Sequence, residues 1–276
     1  MNNKGLMYSK EVDIDESTMP NIIYKYRNWK NQVHKTILTE RKIYYPTPLQ
    51  MEAVHELFFD MDFTRLDDKD LFYEYFYNSP LNKSLTPESK ASEANFRLNN
   101  SPILKPENRG NLRELFRREL DKHTSVFCAS EHKDNLNLWN QFGGNHEGFC
   151  VGLNLKEIAK NPEVFGSAKK VNYGESPPLI HAYSMSESET RDRFFTCLYS
   201  LPKMFSNENE FRLVKINVKE KENILPDYYF NEVILGCNIP SNHKTEILSI
   251  IKNNFKTIKV EQAIYKDNKL EFERIR

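Results

Sequence analysis

The chain has 276 residues, with 39 Lys plus Arg against 39 Asp plus Glu, a formal net charge of +0 and a mean hydropathy of -0.69. That balance excludes a protein that coats nucleic acid non-specifically, because neutralising phosphates takes a surplus of cations. With 39% hydrophobic and 12% aromatic residues the chain has material for a core, which excludes disorder throughout.

Residues 1–20 read as a polar tail, and 21–276 as a single α+β domain with a loop and helical insertion at about 47–123. Ile22–Tyr26 is the first expected strand, and Asn28 is placed to cap a helix carrying Trp29, Val33 and Ile37 at i, i+4 spacing. Lys42–Tyr45 is a second short strand, closed by Pro46 and Pro48. Two helical stretches should follow, one with Met51, Val54, Leu57 and Phe58 on a face and one with Leu71, Phe72, Tyr75 and Phe76. Residues 79–108, rich in Ser, Asn and Pro, read as a loop. A helix with Leu112, Leu115, Phe116 and Leu120 on one stripe comes next. Strand patterns then recur at Ser125–Ala129, Phe149–Leu153, Lys170–Tyr173, Glu210–Ile216, Glu232–Leu235 and Lys256–Tyr265. A helix over Thr245–Phe255 separates the last two, and Leu270–Ile275 should pair back across a Lys266-Asp267-Asn268 turn.

Several chemistries have no foothold. With nine glycines the chain has no GxxxxGK[ST], no GxGxxG after a strand and no GxSxG, so phosphate loops and nucleophile elbows are excluded. There is no HExxH, and the four cysteines form no CxxC, so no metal is expected and the thiols read as buried and free. No apolar run approaches the ~20 residues of a membrane span, and residues 1–20 lack a signal-peptide core. The expected location is the cytoplasm, with no membrane partner.

Three constellations could carry chemistry. In Tyr24-Lys25-Tyr26-Arg27 the strand alternation puts Lys25 and Arg27 on one face, suited to a phosphate or pyrophosphate, and both tyrosines on the other. In the second, a strand ends at Ser130, a short helix carries Trp139, and a turn with Gly143, Gly144 and His146 leads into the next strand. Trp139 reads first as core, though an indole at the mouth of such a turn can stack on a flat ring. In the third, Glu208, Glu210 and Arg212 share a face of a strand while Phe211 faces the core. Neighbouring carboxylates raise one another's pKa unless a cation intervenes, and Arg212 is the available cation. Each constellation also reads as ordinary core or solvated surface.

Taken in order, Tyr24–Arg27, the Ile43-Tyr44-Tyr45-Pro46 strand, Ser130, Trp139, His146–Cys150, Glu208-x-Glu210-Phe211-Arg212 and Val233–Gly236 resemble the bacterial family catalogued as domain of unknown function 2971. The resemblance spans roughly Ile22 to Ile275, with one departure: the family's Asn-Asp-Pro box after the second strand has no counterpart in Leu49–Asp60. The layout is also similar to that of ADP-ribosyltransferases, which implies a mixed or antiparallel split sheet with helical insertions and NAD as substrate. On that likeness Glu210 and Glu208 are the catalytic residues. Lys25, Tyr26, Arg27, Tyr44, Ser130, Trp139, His146 and Arg212 would hold the NAD. The activity implied is ADP-ribosyl transfer or NAD hydrolysis by a toxin or phage-defence effector, acting on a protein or nucleic-acid acceptor and paired with an antitoxin. The alternative is a non-catalytic module that senses a nucleotide or nucleic acid.

Overall fold

The computed structural model describes residues 19–51, 56–161, 166–216 and 221–276. The chain enters through β1 (Ile22–Arg27), turns, runs through α1 (Gln32–Thr39) and returns as β2 (Lys42–Tyr44). The cap of α1 is Asn31 and not Asn28: its side-chain oxygen accepts from the amides of Val33 and His34, which leaves Trp29 to pack from the turn before the helix.

A helical excursion follows: β3 (Asp60–Asp62), α2 (Thr64–Asp67), α3 (Lys69–Tyr77), α4 (Pro87–Asn100) and α5 (Arg109–His123). Two expectations fail here. Pro48–Met51 is a single 3-10 turn and Leu57 has φ 57, so no helix carries Leu57 and Phe58 onto a common face; Val54 lies outside the described residues. Residues 79–108, expected as loop, contain the fourteen-residue α4. Thr86 caps that helix at the Ser89 amide and Pro87 opens its first turn. Its Ser and Asn content gives it weak intrinsic propensity, and packing of Ala94 against Phe72 and Phe76 supplies the rest.

Beyond α5 come β4 (Thr124–Ser130), α6 (Leu136–Gln141), β5 (Phe149–Asn154), α7 (Leu155–Ala159), β6 (Ser167–Lys170), β7 (Asn172–Gly174) and β8 (Leu179–His181). They are followed by α8 (Glu187–Leu198), β9 (Ser200–Pro202), β10 (Glu210–Ile216), β11 (Glu222–Ile224), β12 (Phe230–Leu235), α9 (Ser241–Asn254), β13 (Lys259–Lys266) and β14 (Lys269–Arg274). The strand expected over Lys170–Tyr173 is broken at Val171, where the chain leaves β10 and pairs with β9 instead.

Eight strands form one sheet in the order β14-β13-β12-β5-β1-β4-β10-β6. All neighbours are antiparallel except β12 and β13, whose parallel pairing requires the crossover that α9 provides. The architecture is therefore α+β around a large mixed sheet. One face buries Ile23, Phe127, Phe149, Val233 and Leu235 against Trp29 and Leu38 beside α1, Ile158 of α7, and Ile247 and Ile251 of α9. The opposite face is covered by α5 and α8 over Val126 and Val214, and by α6 over Tyr26, Cys150 and Ile234.

The sheet is parted in its middle. β1 pairs with β5 along all six residues, and β4 pairs with β10 over seven, yet β1 and β4 meet in register only at Tyr24↔Ser130. From that point the two strands diverge toward Arg27 and Thr124, leaving a cleft between them.

Candidate active site

A cavity of about 690 Å³ occupies this cleft. Side chains from both faces of a sheet normally point away from each other. Where the strands part, both sets reach one space. Lys25 and Arg27 line it from β1, Phe127 and Ser130 from β4, and Glu208 and Glu210 from the start of β10. The alternation expected for Tyr24–Arg27 holds, since Tyr26 packs on the α6 side while Ile23, two residues before Lys25, lies in the core beneath α1.

The cationic wall is unusual in its partners. Lys25 donates through Nζ to the Cys128 carbonyl across the cleft and lies 5.0 Å from the centre of the Phe127 ring. Arg27, half-buried and lining the cavity, forms no ion pair and no side-chain hydrogen bond among the described residues. Burial pulls the Lys25 ammonium down to about 8, with the Arg27 charge as the next cause, and burial brings the Arg27 guanidinium down to about 10. Buried arginines are ordinarily paired. An unpaired one facing a cavity is an open anion position.

The acidic wall is organised by Arg212, which is 1% exposed. Its five donors are all used: Nε and Nη2 to the two oxygens of Glu210 at 2.9 and 3.1 Å, Nη1 and Nη2 to Glu56 at 2.9 Å each, and Nη1 to the Leu198 carbonyl at 2.7 Å. Arg212, expected among the residues holding NAD, has every donor engaged and fixes the carboxylate of Glu210. Glu208 is not in the strand. It closes a 3-10 turn over Lys203–Glu208, and Asn209 follows in the left-handed region at φ 45 before β10 begins. Glu208 has no salt bridge among the described residues, and its carboxyl is pushed up to about 7, first by burial and then by the Glu210 charge. The repulsion between the two carboxylates thus falls on Glu208, because Arg212 takes the side of Glu210.

Of the other expected residues, Ser130, Tyr26 and Tyr44 line the cavity. Ser130 donates to the Glu208 carbonyl at 2.7 Å, Tyr26 to the His132 carbonyl at 2.6 Å, and Tyr44 to Gln50 at 3.0 Å. Trp139 and His146 do not line it. The indole is fully buried with its N–H on the Lys133 carbonyl, and the imidazole stacks on it at 5.7 Å. Both lie in the core around α6, outside the lining of the cavity. Three consecutive residues, Gly144, Asn145 and His146, have φ between 55 and 65, and the turn they make seats β5 against β12. Glu56, Tyr173 and His34 escaped the sequence reading. Glu56 completes the Arg212 cluster, the Tyr173 hydroxyl accepts from the Glu210 amide at 2.8 Å, and His34 lines the cavity from α1.

Among the described residues no group of three or more His, Cys, Asp and Glu is placed to hold a metal ion, and no helix is long and apolar enough to cross a membrane. No family model, no curated protein and no solved structure matches the chain.

Proposed function

We propose that the protein cleaves the nicotinamide–ribose bond of NAD, as an ADP-ribosyltransferase or an NAD glycohydrolase. One observation carries the reading: an unpaired arginine and a lysine face two carboxyl groups across one cavity of about 690 Å³ at the parting of a sheet. The diphosphate would lie on Lys25 and Arg27, with Tyr44 and Ser130 beside the nucleoside portions. Nicotinamide leaves with the electron pair of the glycosidic bond, and the cation that develops on the ribose is stabilised by the Glu210 carboxylate, which Arg212 holds in place. The acceptor hydroxyl or water attacks the anomeric carbon, and its proton passes to Glu208, whose pKa of about 7 suits general-base work near neutrality. The resemblance to a split-sheet transferase layout supports the same reading. A toxin or phage-defence effector in the bacterial cytoplasm, with a macromolecular acceptor and an antitoxin, belongs to this proposal.

A second reading, a non-catalytic nucleotide or nucleic-acid sensor, is favoured by the double engagement of Glu210 with Arg212, which leaves that carboxylate fewer free lone pairs. Purified protein mixed with nicotinamide-labelled NAD separates them. The enzyme releases free nicotinamide, and Glu210→Gln lowers the rate by about 100-fold with NAD affinity changed less than about threefold. A folded wild-type protein that binds NAD and releases none, with and without cell lysate as acceptor, would sink the enzymatic reading.

A further inference from the structure

His34 sits in the third position of α1 and lines the cavity with Val33 and Ile37. The amide of Asn28 donates to its Nδ1 at 3.2 Å. An imidazole nitrogen that accepts carries no proton, so in the neutral ring the proton is on Nε2. Among the described residues Nε2 has no partner. The ring is also kept from charging: burial, then the charges of Arg27 and Lys25, bring it down to about 4. His34 places one nitrogen with a backbone amide and leaves the other, a donor of fixed tautomer, without a partner among the described residues, on a side chain that lines the same cavity as Lys25 and Arg27.

We propose that His34, through Nε2–H, joins Lys25 and Arg27 in one anion subsite that takes the phosphates of a nucleotide. Two charges with one neutral donor suit a diphosphate: Arg27 engages an oxygen pair, Lys25 acts as a point charge, and His34 adds a directed hydrogen bond without further repulsion. The Asn28 amide is the positioning element, because it decides which nitrogen donates. The cavity is larger than a phosphate requires, and Tyr44 and Phe142 on its lining leave room for an aromatic base. This extends the NAD reading by one residue and does not depend on bond cleavage.

The test is calorimetric binding of inorganic pyrophosphate and of ADP-ribose to the full chain, comparing wild type with His34→Leu and His34→Gln. Leu fills the ring's space without a donor, while Gln restores a neutral N–H. Both probes should bind about tenfold more weakly to the Leu variant and recover to within about threefold in the Gln variant. Nitrogen spectra of the ring should show Nε2 protonated and shifted on adding pyrophosphate. Three results would each overturn the inference: no binding of either probe to wild type at millimolar concentration, equal binding by the Leu variant, or Gln behaving as Leu does. A protein that gives the expected pattern yet releases no nicotinamide keeps the subsite and loses the enzymatic reading.

Discussion

Glu208 and Glu210 are two residues apart and have opposite electrostatic settings. Glu210 is held by two donors of a guanidinium that is itself clamped by Glu56. Glu208, without such a partner, is left to face that ensemble from a half-buried turn. A consequence follows for pH. The Glu208 carboxyl rises from its ordinary 4.5 to about 7 in the folded protein, mainly through burial. Between those values the folded state binds a proton that the unfolded chain has released, so unfolding free energy falls as pH rises through the window. Glu208→Gln should flatten that fall between about pH 4.5 and 7, read by urea denaturation at half-unit steps. A curve with the same slope as wild type would show that the carboxyl is not desolvated. Acidic pairs of this kind are visible in sequence, and the expectation that one member would be raised was legible. Which member was not, because Glu56 lies 156 residues from Arg212 in the chain and meets it only through the fold.

The strands were read more reliably than the helices, and the reason lies in what each element leans on. β1, β4, β5, β10 and β12 carry dense β-branched and aromatic patterns because both of their faces are covered, so their sequences announce them. α4 is a polar segment that leans on α3 through Ala94, and its composition reads as loop. The cleft itself could not be read, since nothing in the residues of β1 and β4 states that they pair only once. What can be seen afterwards is the device that holds β1 in place. Gly148 opens onto β1 so closely that an added Cβ would lie 2.2 Å from the Arg27 carbonyl oxygen and 2.8 Å from that of Gly143. Both obstacles are backbone, so the strand end must move. Gly148→Ala should cost about 1–3 kcal/mol or more in chemical denaturation and should also weaken pyrophosphate binding, because Arg27 moves with its carbonyl. A variant that loses stability while keeping pyrophosphate affinity would show that the strand end does not set the anion position.

On the scale of the whole molecule, the sheet carries buried clusters on both faces, and the excursion has an aromatic cluster of its own. Phe72 and Phe76 of α3, Ala94 of α4, Leu66 and Ala182 make up the latter, with Tyr75 and Tyr183 joined hydroxyl to hydroxyl at 3.0 Å. None of its five buried members lines the cavity. A cluster that shares few side chains with those of the sheet should open separately from them, since cooperativity follows contiguous packing. Phe72 is fully buried, and truncating it to Ala removes a ring that touches Tyr75, Phe76 and Tyr183. The expected local cost is about 3–5 kcal/mol. In Phe72→Ala, hydrogen exchange should accelerate across α2 to α4 and the segment after β8, while amides of β1, β5 and β12 keep their protection. Binding of pyrophosphate should stay within about twofold of wild type, because Lys25, Arg27 and His34 all belong to the sheet side. Loss of protection across the central strands at the same rate would mean that the excursion and the sheet fold as one cooperative unit. The cavity would then depend on residues far beyond its own walls.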